Sequence, residues 1–237
     1  MIDGPDPGLI LPSRVVAAQR LAERLRQLKL ETPLILAIPP GGVPVGLEIS
    51  RILGVDFDLI ISLKVSVPEN PQRALGAVAE FGGRMTSGRR LEQTEHLQFD
   101  LDPGFGRVIR EVERLSNLYR EGRDPPDLAG RTVIVVTDGV VEPLIVRAAL
   151  RGVAARSPHR LIFATGVLSR YCMVEIRRDV EEVIALREPR LLFSLSEWYR
   201  EFPSVTEAEI QASLAGSNLS PVRAHVSAGA GEAAQPS

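Results

Sequence analysis

The residue types that could do chemistry in this chain fall in three short stretches. Pro39-Pro40-Gly41-Gly42 ends an apolar run as a tight loop. Lys64 closes a second apolar run, and Thr137-Asp138-Gly139 closes a third, with Glu142 and Pro143 just behind. A lysine beyond a strand end can hold a phosphate. A carboxylate there can hold hydroxyls or a Mg2+-bound ligand. Each has a plainer reading as well. Lys64 can be a solvated loop lysine, Asp138 a turn or capping residue after a strand, and Glu142 an ordinary negative charge at a helix start. The histidines, His96, His159 and His225, are scattered, and no His/Cys grouping has metal-ligand spacing. Gly104-Phe105-Gly106 has no strand before it and receives no nucleotide role.

The elements that must position these loops alternate along the chain. Ser13 is a good N-cap, and Ala18, Leu21, Leu25 and Leu28 follow at helical spacing, predicting a helix from Ser13 to Leu28. Leu34 to Ile38 reads as a buried strand. Pro44 suits the first turn of a second helix ending near Gly54. Asp58 to Leu63 reads as a strand and Gly76 to Glu80 as a short one. Residues 82–106 have no strong period and read as an insertion or flap. Arg107 to Arg120 is predicted helical, with Val108, Val112, Leu115 and Tyr119 on one face. Thr132 to Val136 is the clearest strand, followed by a helix from Pro143 to Ala155 and strands at 160–167 and 182–186. Thr206-x-x-Glu209 has the form of a capping box before a final helix.

Strands alternating with helices predict an α/β fold with a mainly parallel sheet and helices on both faces. Val133-Ile134-Val135-Val136 has no polar alternation, as expected of a strand covered on both sides. Ligands of such sheets bind beyond the carboxyl ends of the strands, where residues 39–42, 64–72 and 137–145 lie.

The chain has 237 residues, which suits one domain with decorations: residues 1–214, followed by a tail, 215–237, too poor in large apolar residues to fold. A net charge of −2 gives no electrostatic case for nucleic acid. No apolar run approaches the roughly 20 residues needed to cross a bilayer. The single cysteine, Cys172, allows no intrachain disulfide and fits a reducing, cytoplasmic setting. Trp198 and Tyr199 read as packing residues.

Residues 130–150 resemble the signature of the type I phosphoribosyltransferases, in the uncharacterised branch with a Pro-Arg-Gly-Gly loop. In that family the strand ends in two acids and a glycine. A loop of the Thr-Gly-Ala-Thr kind then wraps the 5′-phosphate of phosphoribosyl pyrophosphate, an anion nest at a helix N-terminus. Residues 37–44 resemble the family's pyrophosphate loop, and 63–72 its Arg-Lys-x-x-x-Pro-x-Asn-Pro-Glu segment. Gly76 to Glu80, Trp198-Tyr199 and Phe202 also match, so the resemblance covers about residues 11–214. It implies a site made of Pro40, Gly41, Gly42, Lys64, Thr137, Asp138, Gly139 and Glu142. It also implies Mg2+ and a nucleobase acceptor if the protein is active, and a homodimer or pairing with an intact relative.

The chain departs from the family where the chemistry should be. The pyrophosphate-loop arginine is Pro40, the next arginine Leu63, the glutamate Gln72 and the first signature acid Thr137; the phosphate loop reads Glu142-Pro143-Leu144-Ile145. Pro143 has no N–H, which removes a charge-assisted hydrogen bond of about 1.5–3 kcal/mol. A carboxylate beside the phosphate adds about 4 kcal/mol of repulsion unless Glu142 turns to solvent. The expectation is a homologue with little or no transferase activity that senses a ligand or binds a partner. The alternatives are an active enzyme resting on Asp138, Lys64, Gly41 and Gly42, and a structural subunit.

Overall fold

The computed structural model describes residues 7–67, 70–87 and 101–215. Its centre is a five-stranded parallel sheet. The strands are β1 (Leu34–Ala37), β2 (Asp56–Leu59), β6 (Thr132–Val140), β7 (Arg160–Leu168) and β8 (Glu182–Arg187), in the order β2-β1-β6-β7-β8. Leu34 pairs with both Asp56 and Val133, and Thr137 with Thr165. Side chains alternate between two apolar faces. Ile35, Ala37, Ile134 and Val136 pack under α1 (Arg14–Arg26) and α2 (Gly42–Leu53). Leu36, Val135 and Phe163 pack under α4 (Leu144–Ala154) and α5 (Arg170–Ile176).

The local signals explain most element ends. The Ser13 hydroxyl accepts from the Val16 amide at 3.3 Å and starts α1. Gly54, at φ 66°, takes the left-handed conformation that ends α2. Thr206 and Glu209 form the reciprocal capping box of α6 (Glu207–Ala215), with the Thr206 amide donating to Glu209 at 2.8 Å.

A second, antiparallel sheet is built from β3 (Ser62–Val67), β4 (Asn70–Ala79) and β5 (Arg84–Thr86). Val65 and Val78 pack on α3 (Leu101–Arg120) through Phe105 and Val112, while Ala77, Ala79 and Met85 pack on α4. The contact with α4 is backbone-close: a Cβ on Gly83 would lie 2.2 Å from the Ala148 carbonyl oxygen. This sheet corrects the reading of 58–63 as one strand. The chain leaves the parallel sheet at Leu59 and enters the second sheet at Ser62. The helix read from Arg107 begins at Leu101, so part of the anticipated 82–106 flap is strand β5 and helix α3. Residues 88–100 and the tail 216–237 lie outside the described residues.

A buried ionic knot joins the two sheets. Arg120 donates to Asp58 at 2.8 Å, to Glu80 at 2.6 Å and to the Leu59 carbonyl at 2.7 Å. Glu80 also accepts from Ser116 and from the Ile61 amide.

Candidate functional site

The carboxyl ends of β1 and β6 bring most of the expected site residues together. Beyond β1 the chain turns through a cis Pro39–Pro40 bond into Gly41 and Gly42, at the start of α2. Pro40 is exposed, and the two glycines are buried against β6. A Cβ on Gly41 would fall 2.0 Å from Oδ2 of Asp138, and one on Gly42 would fall 2.6 Å from the Val136 carbonyl oxygen. Both glycines are thus required by close packing on the neighbouring strand. The amides of Gly42 and Val43 donate to the carbonyls of Ile38 and Pro40, and Pro44 has none to offer. These two backbone donors at the head of α2 are therefore spent inside the turn.

The stretch after Val136 is a strand, which corrects its reading as a loop. Gly139 pairs with Val167 and Val140 with Leu168, so β6 runs through Asp138-Gly139. Asp138 is buried. Its Oδ2 accepts from Arg14 Nε at 2.8 Å, and its Oδ1 accepts from the Thr137 hydroxyl at 3.3 Å. Its backbone carbonyl accepts from the Tyr199 hydroxyl at 2.6 Å. Burial, followed by the nearby Asp138 charge, pushes the Tyr199 phenol far above its ordinary range. Arg14 also donates to the Pro203 carbonyl at 2.6 Å and lies 3.8 Å above the Phe202 ring. The C-terminal segment thus covers the end of β6. A Cβ on Gly139 would lie 2.3 Å from Leu195, and one on Gly166 would lie 2.0 Å from the Tyr199 hydroxyl.

Two expected residues stand apart from this cluster. Glu142 is exposed just before Pro143, the N-cap of α4, which makes no side-chain capping bond. Its exposure lets solvent screen the carboxylate, while the missing N–H of Pro143 stands. Lys64 lies on β3 opposite Ala77. By alternation it shares a strand face with Ser62, whose hydroxyl donates to Ile145 in the first turn of α4 at 2.8 Å. Lys64 also borders a cavity of about 600 Å3 beside Leu63 and α3.

The donors at the end of β6 do not fit a protein-held Mg2+. Thr137 offers a hydroxyl, and the one carboxylate is already engaged by Arg14. Among the described residues there is no group of three or more His, Cys, Asp or Glu placed to hold a metal. No helix among them is long and apolar enough to cross a membrane.

Sequence reasoning missed Arg14 and gave Tyr199 only a packing role. A signal for Arg14 was present: a cation in the first turn of a helix opposes the helix dipole, so an arginine directly after the Ser13 cap calls for an anionic partner. That partner lies 124 positions away, which no local pattern encodes. The buried Asp58–Glu80–Arg120 knot was likewise invisible.

No family model matches the chain. Two curated proteins from strains of Mycobacterium tuberculosis, "Putative phosphoribosyl transferase Rv0571c" and "Putative phosphoribosyl transferase MT0597", are each 29% identical over 198 residues. The match takes in 84% of this chain and 45% of theirs, so the chain spans about half the length of the curated relatives it matches. Among solved structures, TT1426 from Thermus thermophilus is 33% identical, with a TM-score of 0.73, covering 86% of this chain and 97% of that one.

Proposed function

Since the chain belongs to the type I phosphoribosyltransferase family, we propose that it is a member with little or no transferase activity, acting through binding of a ligand or a protein partner. The observation that carries this reading is the state of Asp138. It is the one acid left at the signature, and it is buried in an ion pair with Arg14, directly over Gly41. A carboxylate so engaged is a poor acceptor for ribose hydroxyls unless that pair is broken first, and breaking a buried pair is costly. Supporting features are Thr137 for the other acid, Pro40 for the arginine, and Pro143 where the phosphate needs an amide.

The test is calorimetric titration of the full chain with phosphoribosyl pyrophosphate and Mg2+, followed by a turnover screen with purine and pyrimidine bases. The expected result is no binding at millimolar ligand and no release of pyrophosphate. Micromolar binding with turnover, abolished by Asp138→Ala, would overturn the reading in favour of an active transferase built on Asp138, Lys64, Gly41 and Gly42.

A further inference from the structure

The cavity of about 600 Å3 between β3 and α3 is bordered by more cations than the fold pairs off. Lys64 borders it from β3, and Arg107, Arg110 and Arg114 border it from α3. The arginines are three and four positions apart, so they form one stripe of the helix. Arg110 leans back along that stripe: its Nη1 lies 3.8 Å from where a Cβ on Gly106 would stand. Helical side chains favour this direction, and the bare backbone of Gly106 leaves room for it. Leu63 and Val108 border the same cavity and pack against the core, which gives it an apolar floor. The volume falls in the range of small-molecule sites, about 300–1,000 Å3.

The charge balance of the cavity turns on one acid. Glu111 is the only carboxylate on its border among the described residues. Arg114 holds that carboxylate with two hydrogen bonds, at 2.9 and 2.8 Å. Glu113, beside it on α3, borders a separate cavity next to Phe81. Glu207, on α6, acts on the stripe at its Arg114 end. Lys64, Arg107 and Arg110 remain, and their side chains make no hydrogen bond or ion pair among the described residues. A hollow lined by one sign of charge concentrates counter-ions. Because Glu111 is engaged, no carboxylate is left there to hold a metal. Phosphates that travel as Mg2+ complexes are therefore a poor match, phosphoribosyl pyrophosphate with Mg2+ among them.

We propose that this cavity binds a small, metal-free organic anion of two or three charges. Its carboxylate or phosphate oxygens meet Lys64, Arg107 and Arg110, and its carbon skeleton rests on Leu63 and Val108. The proposal rests on the ligand-binding side of the reading above and names a ligand class for it. Lys64 is the one residue it takes from the set that the family resemblance implies; the α3 arginines belong to no part of that set. Binding that Asp138→Ala removes bears on the earlier reading, and binding that the α3 variant below removes bears on this one, so the two can fail separately.

The test is calorimetric titration of the purified full chain in metal-free buffer of low ionic strength, with citrate and inorganic pyrophosphate as probes. Two variants run beside it. One is Arg107→Gln with Arg110→Gln, and the other, Arg177→Gln with Arg190→Gln, removes two exposed cations elsewhere. All four positions are exposed, so both variants should fold, and a melting curve checks this. The expected result is one site for at least one probe, with a Kd below about 1 mM. Binding should be at least about tenfold weaker in the α3 variant, unchanged in the other, and weaker at high salt. Lys64→Gln should weaken it as well. A preference for citrate would assign the site to polycarboxylates, and a preference for pyrophosphate to metal-free polyphosphates. Three results would each overturn the proposal. The first is no binding of either probe at millimolar concentration. The second is binding untouched by the α3 substitutions. The third is an equal loss in both variants, which would reduce the effect to net charge.

Discussion

Arg120 and Arg14 both stand inside the protein against an aspartate at the end of a strand, yet their settings differ. Arg120 is 1% exposed and is shared by two carboxylates, a backbone carbonyl and the hydroxyl of Ser116. Arg14 is 9% exposed, meets the single carboxylate of Asp138, and spends the rest of its guanidinium on the Pro203 carbonyl and the Phe202 ring. The first ties the antiparallel sheet to the parallel one. The second ties α1 and the C-terminal segment to the end of β6. One is a structural knot sealed from water, and the other closes over Gly41 at the carboxyl end of β6. The contrast shows how little holds a strand-end carboxylate inside the protein: at Asp138 one cation of the right length and a covering segment suffice.

The sharpest test of this contrast is removal of each arginine. Arg120→Leu leaves Asp58 and Glu80 buried without their cation and should cost about 3–5 kcal/mol in urea unfolding. Replacing one carboxylate as well, with Asp58→Asn, should recover only part of it, because Glu80 is still buried without its cation. A loss under about 1 kcal/mol would mean that water reaches the knot.

Arg14→Gln should cost less, about 1.5–3 kcal/mol, the range for losing a hydrogen bond to a charged group. Asp138 lies at the sheet's end and has Thr137 as a second partner. Should the two arginines prove equal in urea, the distinction between sealed knot and site-facing pair would fall.

The same contrast explains what was legible in the sequence. The parallel sheet was readable because Leu34–Ile38 and Val133–Val136 are uninterrupted apolar runs, and such runs have few other destinations. The Thr206–Glu209 capping box was readable because both partners lie within one turn. The end of β6 was misread because Thr137, Asp138 and Gly139 have the composition of a loop. They stay in the strand because Arg14 and Tyr199, far away in sequence, satisfy Asp138. The break between β2 and β3 was hidden for the opposite reason: Leu59, Ile60 and Ile61 are all buried, so nothing in their composition marks where the chain changes sheets. The site residues were identified by type and position, but their engagement depends on contacts that local pattern does not contain. The short helix α5 went unread as well. Its seven residues are too few for a period to show, and its Ser169 cap is a single weak signal.

The smallest expected effect concerns protonation in the Arg120 knot. Burial first, and the neighbouring Glu80 charge as well, push the Asp58 carboxyl above its ordinary value, against the pull of Arg120. A folded-state value above the unfolded one means that the native protein holds the proton more tightly. The resulting stability is full below the ordinary carboxylate range and is lost as pH rises through the raised value. The Asp58→Asn variant lacks this titration. The stability difference between the two proteins, followed by urea unfolding from acid to neutral pH, should therefore move in favour of the asparagine variant as pH rises. If the slope ran the other way, attraction to Arg120 would outweigh desolvation at Asp58. The knot would then stabilise the fold through its charges, and its sealing from water would no longer be what sets it apart from the pair at Arg14.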